Sequence, residues 1–378
     1  MNKALKSVLS ALSRKLLILA MTSVISFQVM AVDEYRKYST EFIAPKGVVA
    51  VNFRFSQGRV SSAYDQDGNL EKFSDSLSGI PLDTFGLAGD STDVDLRYQT
   101  EFLELTVGYG LTDNVAIGVQ MLIGESCSDA SLETQNGFGQ LLGGALTDPD
   151  GNFAYSDIDS HCESGVFAPI LGAAWRIYEG KYDSLIFLPG IRLGGATDAH
   201  DPDVLFQPII DDGTDDIIIR FDYFRDLTHS FDIAGQFEYA YALPDERTMR
   251  VDQSGIPITP IAFKEKVERN AGDYALMDVE FGYRFLDDQA RVYIAYYIKD
   301  KQKDKFQSDS GLSTEFLEEN SDFRDEEYRI GFTWDGVPAW QAGTVPVPFK
   351  AEINFWESFR GKNFFKYYFT EFKVTLAF

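Results

Sequence analysis

Cys127 and Cys162 bracket one polar stretch of this chain. If the chain is exported to an oxidising compartment, a disulfide pinning that stretch is the natural pairing. His161 stands beside Cys162, but two Cys and one adjacent His do not have the spacing of a tetrahedral metal site. Farther on, Asp198, His200, Asp201 and Asp203 are followed by Asp211, Asp212, Asp215 and Asp216. Such carboxylates could hold a hard divalent cation, or bridge loosely through cations to the phosphates of surrounding lipid. The twelve-residue calcium-loop pattern is missing, however, and a solvated acidic rim accounts for them more simply. No metal and no cofactor is assigned. His229 with Ser230 lacks an oriented third partner for acyl transfer, and His200 among aspartates is a pairing that acidic loops produce by chance. No catalytic residue and no enzyme activity is expected.

A larger set of charges is periodic. Arg54, Arg192, Arg220, Arg284, Arg329 and Lys373 fall opposite apolar neighbours, and Glu104, Asp222, Asp232, Glu238, Asp278, Glu280, Glu352 and Glu371 answer them on the same face. Arg176, Lys299 and Lys350 share that parity. The elements that place them are extended strands. Phe231, Ile233, Gly235, Phe237, Tyr239, Tyr241 and Leu243 alternate with Asp232, Ala234, Gln236, Glu238, Ala240 and Ala242, the two-residue period of a strand. The alternation returns over 275–285, 292–298 and 328–334, and in each case the apolar face carries no charge. Alternation alone fits either a soluble sandwich or a membrane barrel.

Strand number and connection lengths decide between them. Twelve strands are read near 47–56, 95–110, 115–124, 165–178, 184–196, 216–226, 230–243, 274–286, 291–299, 327–335, 348–358 and 365–378. Several match the roughly 9 to 11 residues of a tilted bilayer-crossing strand. Tight turns at 111–114, 179–183, 227–229 and 287–290 alternate with long acidic connections. Only the tenth connection, long and Pro-rich, and the eleventh, short, bend that rule. The fold expected is therefore all-β: a transmembrane antiparallel up-and-down barrel of about 12 strands, with long extracellular loops and short periplasmic turns. The last strand strengthens this. Phe378, Leu376, Val374, Phe372 and Tyr368 recur at every second position, save for Thr370, and such a terminal aromatic row resembles the insertion signal that barrel assembly machinery reads at the carboxyl end of bacterial outer-membrane barrels.

The amino terminus and the composition agree with export. Lys3, Lys6, Arg14 and Lys15 precede an apolar stretch, Leu16 to Phe27, too short to span a bilayer, and Val29 and Ala31 supply small residues for cleavage. Residues 1–31 are read as a signal peptide and 32–378 as the barrel. Removing those four cations moves the formal charge from −25 to −29, which argues against a nucleic-acid partner. Aromatic residues at 14% argue against disorder. Oligomeric state is not legible, because lipid-facing and subunit-facing apolar surfaces look alike.

The stretch Tyr109-Gly110-Leu111-Thr112-Asp113-Asn114-Val115-Ala116-Ile117-Gly118-Val119 resembles the strand-turn-strand of the meta-pathway phenol degradation family, outer-membrane transport barrels related to fatty acid and aromatic hydrocarbon transporters. Fainter similarity lies in Leu185 to Gly195 and in Tyr239-Ala240-Tyr241. The resemblance implies uptake of hydrophobic or aromatic solutes, and no ligand residue carries over from a turn. The function expected is an outer-membrane transporter or porin-like channel for small solutes. Arg54, Arg220, Asp222, Glu238, Glu280 and Arg284 are the lumen residues ranked first. The alternative is a non-conducting surface barrel whose acidic loops serve adhesion, lipid bridging or partner docking.

Overall fold

A computed structural model describes residues 43–83, 87–194, 201–208, 213–253 and 258–378. The proposed signal peptide, Asp198, His200, Asp211 and Asp212 lie outside them. Alternating sequence closes a sheet here because each strand has one face for lipid and one for a polar interior. Twelve strands form the wall: β1 (Val49–Tyr64), β3 (Thr92–Thr112), β4 (Val115–Thr134), β5 (Cys162–Glu179), β6 (Asp183–Leu193), β7 (Asp215–Asp226), β8 (Phe231–Ala242), β11 (Tyr274–Phe285), β12 (Ala290–Lys301), β14 (Phe323–Asp335), β15 (Phe349–Lys362) and β16 (Phe364–Ala377). Each pairs antiparallel with its neighbour, and β16 pairs with β1 to close the barrel, so no edge is left unpaired.

All twelve lie where the alternation puts them, but several run farther. β1, β3 and β4 continue well beyond the bilayer-length segments, so much of the expected first and second loops is strand. The remaining loop sequence is also built. β2 (Leu70–Lys72) folds back and pairs antiparallel with the end of β1, and β9 (Asp245–Arg250), β10 (Lys264–Asn270) and β13 (Lys305–Ser308) form a separate three-stranded sheet. Among the described residues, four short α-helices lie in the connections: α1 (Phe73–Leu77), α2 (Gly139–Thr147), α3 (Glu315–Glu318) and α4 (Val337–Gln341).

The outward face is an apolar belt, with Phe237, Phe281, Ile294, Ile330, Phe355 and Phe372 all exposed. In water such a surface would drive association. In a bilayer it is the solvent-matched face, and the chain is a transmembrane barrel of the outer membrane. Most tight turns gather at one end and most long loops at the other, the periplasmic and external ends of such a barrel, while the long β14–β15 connection and the one-residue β15–β16 turn are the two exceptions expected from sequence. Both termini of the barrel meet at the turn end, where the Val49 and Phe378 backbones exchange hydrogen bonds.

Apolar clusters lie at both ends of the barrel interior. At the turn end, Ile43 is buried against Ala116 and Ile186 on the inner wall. Gly110 is required beside this segment, since a Cβ there would lie 2.0 Å from the Pro45 carbonyl oxygen. At the loop end, Phe73 of α1 and Phe206 pack on the inward-facing Val60, Val94, Leu96 and Tyr367. Leu142 and Leu146 of α2 pack with Leu82, Tyr155 and Ile258 in a second cluster.

Candidate functional site: the barrel lumen

Between these clusters the inner wall falls into three zones. Nearest the turns is an ionic knot. Asp232 accepts bonds from Arg291, with Nη2 at 2.6 Å, and its other oxygen lies 3.3 Å from Arg284. Arg291 also reaches Glu280 at 2.5 Å, and Arg284 reaches Asp226 at 2.7 Å. The side chains of Arg291 and Asp232 are 1% and 0% exposed. Charges so far from water persist only when paired this closely.

At mid-barrel the charges face open space. Arg54 on β1 lies 3.4 Å from Glu104 and 3.6 Å from Glu371, and Ser56 and Asn354 donate to the same Glu371. Arg220 on β7 grips Asp222 with two bonds, at 2.7 and 2.8 Å. Arg329 on β14 donates to Asp278 at 3.0 Å. These three arginines come from separate sectors of the wall, yet Arg54 lies within electrostatic reach of both Arg220 and Arg329. Arg54 keeps 38% of its side chain accessible and Arg220 25%, although both point inward. Room for water therefore remains around these groups in the middle of the barrel.

Toward the loops the lining turns aromatic. The Trp356 indole stacks on Phe369 with centroids 4.8 Å apart and meets Tyr367 edge-on at 5.5 Å. Arg329 lies over Trp356 and over Tyr297. Among the described residues the buried Trp356 Nε1 has no hydrogen-bond partner. Tyr367 donates toward the buried carboxylates Asp325 and Glu327, and Ser358 donates to Asp325 at 2.9 Å. Tyr274 joins the zones, receiving Arg192 and donating to Glu238, each at 2.7 Å.

The six lumen residues ranked from sequence all lie on this inner wall. Arg220 and Asp222 form a pair, Glu280 and Arg284 meet through Arg291 and Asp232, and Arg54 and Glu238 stand apart in separate networks. Sequence ranking missed Arg291, the most enclosed cation in the barrel. Its parity with Tyr293 and Lys299, opposite Val292 and Ile294, was the available signal. The aromatic zone was missed because tyrosine and tryptophan also populate lipid-facing rows.

Outside the lumen, Cys127 and Cys162 are bonded between directly paired positions of β4 and β5. They sit with Glu125 in a group of ligand-type atoms, but thiols spent in a disulfide offer no thiolate to a metal. Asp203 binds Arg250 and Lys264, and Asp216 binds Arg192, so these two members of the acidic run are ion-paired. His229 and Ser230 lie in the β7–β8 turn. In the terminal row, Tyr368 and Phe372 are exposed on the outer wall while Val374, Leu376 and Phe378 are partly covered.

The sequence matches no family model and no curated protein. Solved structures do match. The COG4313 outer membrane channel from Pseudomonas putida F1 aligns with TM-score 0.55 at 13% identity, over 93% of this chain and all of that one. A FadL homologue from Pseudomonas aeruginosa covers 88% of this chain and 90% of its own at 9% identity and TM-score 0.36. The CymD monoaromatic hydrocarbon channel covers 88% and 89% at 8% identity and TM-score 0.34. The first of these establishes a shared architecture, the twelve-stranded outer-membrane barrel, and the other two add nothing beyond it.

Proposed function

We propose that this barrel is an outer-membrane channel for small solutes, with hydrophobic or aromatic compounds as its cargo. What supports this most is the accessibility of Arg54 and Arg220 inside a closed wall, because inward guanidinium groups that still meet water require a hydrated lumen. The aromatic preference rests on the zone above them. Trp356, Phe369 and Tyr367 offer ring faces, and the unpartnered indole N–H is a donor that a hydroxyl or carbonyl on an aromatic solute would satisfy. Arg54, Arg220 and Asp222 would then guide the polar end of the solute.

Planar-bilayer conductance of the refolded protein tests this, with Arg220→Ala and Glu238→Ala beside it. Discrete steps are expected, their size or ion preference altered by the substitutions, and added benzyl alcohol should block the current less in Trp356→Ala. A protein folded by heat-shifted gel mobility but electrically silent would sink the channel. Unaltered blockade in Trp356→Ala would sink only the aromatic preference.

A further inference from the structure

The external rim is predominantly acidic, yet one strip of the outer wall is cationic. On β14, β15 and β16, just below the loop end, Arg324, Arg360, Lys362 and Lys366 stand among Asp322, Glu326 and Glu357. Four cations face three carboxylates. Beneath them lies an aromatic shelf: Phe359 packs between Tyr296 and Tyr328, with centroids 6.2 and 5.8 Å away, and Lys366 lies over the ring of Tyr368. These four rings are all exposed on the lipid side.

A break in the strand register aims the cations outward. Glu327 pairs with Ser358, but Glu326 pairs with Arg360, so Phe359 is an extra residue bulged out of β15. Ser358 is fully buried, bonded to Asp325 inside the barrel. Without the bulge Arg360 would share its face and point into the lumen. With it, Arg360 is 73% exposed outside and shares Glu326 with Arg324, which is 47% exposed. Both arginines approach that carboxylate through Nε, at 3.9 and 3.0 Å. Tyr296 donates to the other Glu326 oxygen at 2.8 Å. The carboxylate thus anchors Arg324 by a hydrogen bond and keeps Arg360 beside it by charge, leaving two largely exposed guanidinium groups next to each other. The connection here is a single residue, Asn363 between β15 and β16, at a φ of +49° that Asn tolerates, so no long loop rises from this pair of strands.

We infer that this strip binds a phosphate-bearing headgroup of an outer-leaflet lipid. Paired arginines are the side chains that match phosphate geometry, and an aromatic shelf at headgroup height is the interface anchor below them. The charge is complementary only on this strip, because the acidic loops repel anionic lipid elsewhere. The inference is independent of what passes through the lumen.

Native mass spectrometry of the detergent-solubilised barrel with added bisphosphorylated lipid A is the test. Arg324→Ala/Arg360→Ala should retain roughly tenfold less lipid or lower still, while Arg97→Ala, an exposed cation on β3, should retain as much as the native chain. Arg324→Lys/Arg360→Lys should fall between, keeping charge without the fork. Heat-shifted gel mobility identifies any variant that fails to fold, and the lysine pair then carries the comparison. Undiminished retention in the alanine pair, or equal retention of dephosphorylated lipid A, would overturn the inference. Displacement of the lipid by inorganic phosphate at equal concentration would reassign the strip to free anions and overturn it as well.

Discussion

The ionic knot near the turns and the arginines at mid-barrel are built from the same residue types, and they differ in access to water. Arg291 and Asp232 are sealed, with at most 1% of either side chain exposed. Arg54 faces two carboxylates at longer range and stays 38% exposed. A sealed pair must be structural, since neither member can leave the other without stranding a charge in a dry interior. A wet pair costs little to rearrange and is free to serve a passing solute. Breaking the knot should therefore give the largest effect. Asp232→Ala removes the carboxylate that Arg291 and Arg284 share, leaving two enclosed cations side by side with only Glu280 and Asp226 to answer them, and a loss of about 3 to 5 kcal/mol is expected in urea unfolding of the micelle-embedded barrel. A loss no larger than that of a wet-pair variant would dissolve the distinction.

Gly282 sharpens the same contrast sterically. It lies on the inner face between Glu280 and Arg284, and a Cβ there would come 2.2 Å from Arg291 Nε and 2.5 Å from Asp232 Oδ1. Only a residue without a side chain lets that pair cross the wall so closely. Gly282→Ala should cost about 1 to 3 kcal/mol by forcing the pair apart. Gly235→Ala, whose nearest neighbour is a carbonyl oxygen at 3.8 Å, is the matched control and should cost well under that. At the wet end of the scale, Arg54→Ala should change stability by only about 0 to 1 kcal/mol. Its effect should instead appear in single-channel ion preference, and a stability loss matching that of Asp232→Ala would show Arg54 to be structural too.

The twelve strands and the closure were legible because period-two alternation over bilayer-length segments constrains both faces of a wall at once. Strand ends were not. Beyond the bilayer β3 and β4 keep pairing as a ribbon, where Asp93, Asp95 and Arg97 replace the apolar row and erase the signal that marks a strand. Facing was readable wherever parity held, as for Arg54 and Glu238. Past the strand end read at 358, parity would have aimed Arg360 inward, but the β15 bulge adds one residue and turns it to the lipid side. The aromatic zone was overlooked for a different reason: Trp356 and Tyr367 have the composition of a lipid-facing girdle, although their parity with Glu352 and Glu371 already aimed them inward, as the register bears out.

His161 provides the mildest break between regions, because it lies in the external loop beside the disulfide rather than in the wall. Nδ1 is 3.2 Å from Asp157 and Nε2 is 3.2 Å from Glu163. Partial burial alone would lower its pKa, but the two carboxylates outweigh that and hold it above the ordinary value of 6.5. A raised folded-state pKa means that the protonated imidazole stabilises the fold. That contribution is complete below the unfolded value and is lost as pH rises through the folded one. Hydrogen exchange around residues 157–163 should therefore show more protection in the native chain than in His161→Gln under mildly acidic conditions. The difference should shrink as pH climbs from 6.5 through neutrality, with the lumen strands unaffected. A difference that stayed constant with pH would mean that His161 holds the loop by packing and hydrogen bonding alone, and the charge distinction between loop and wall would not extend to it.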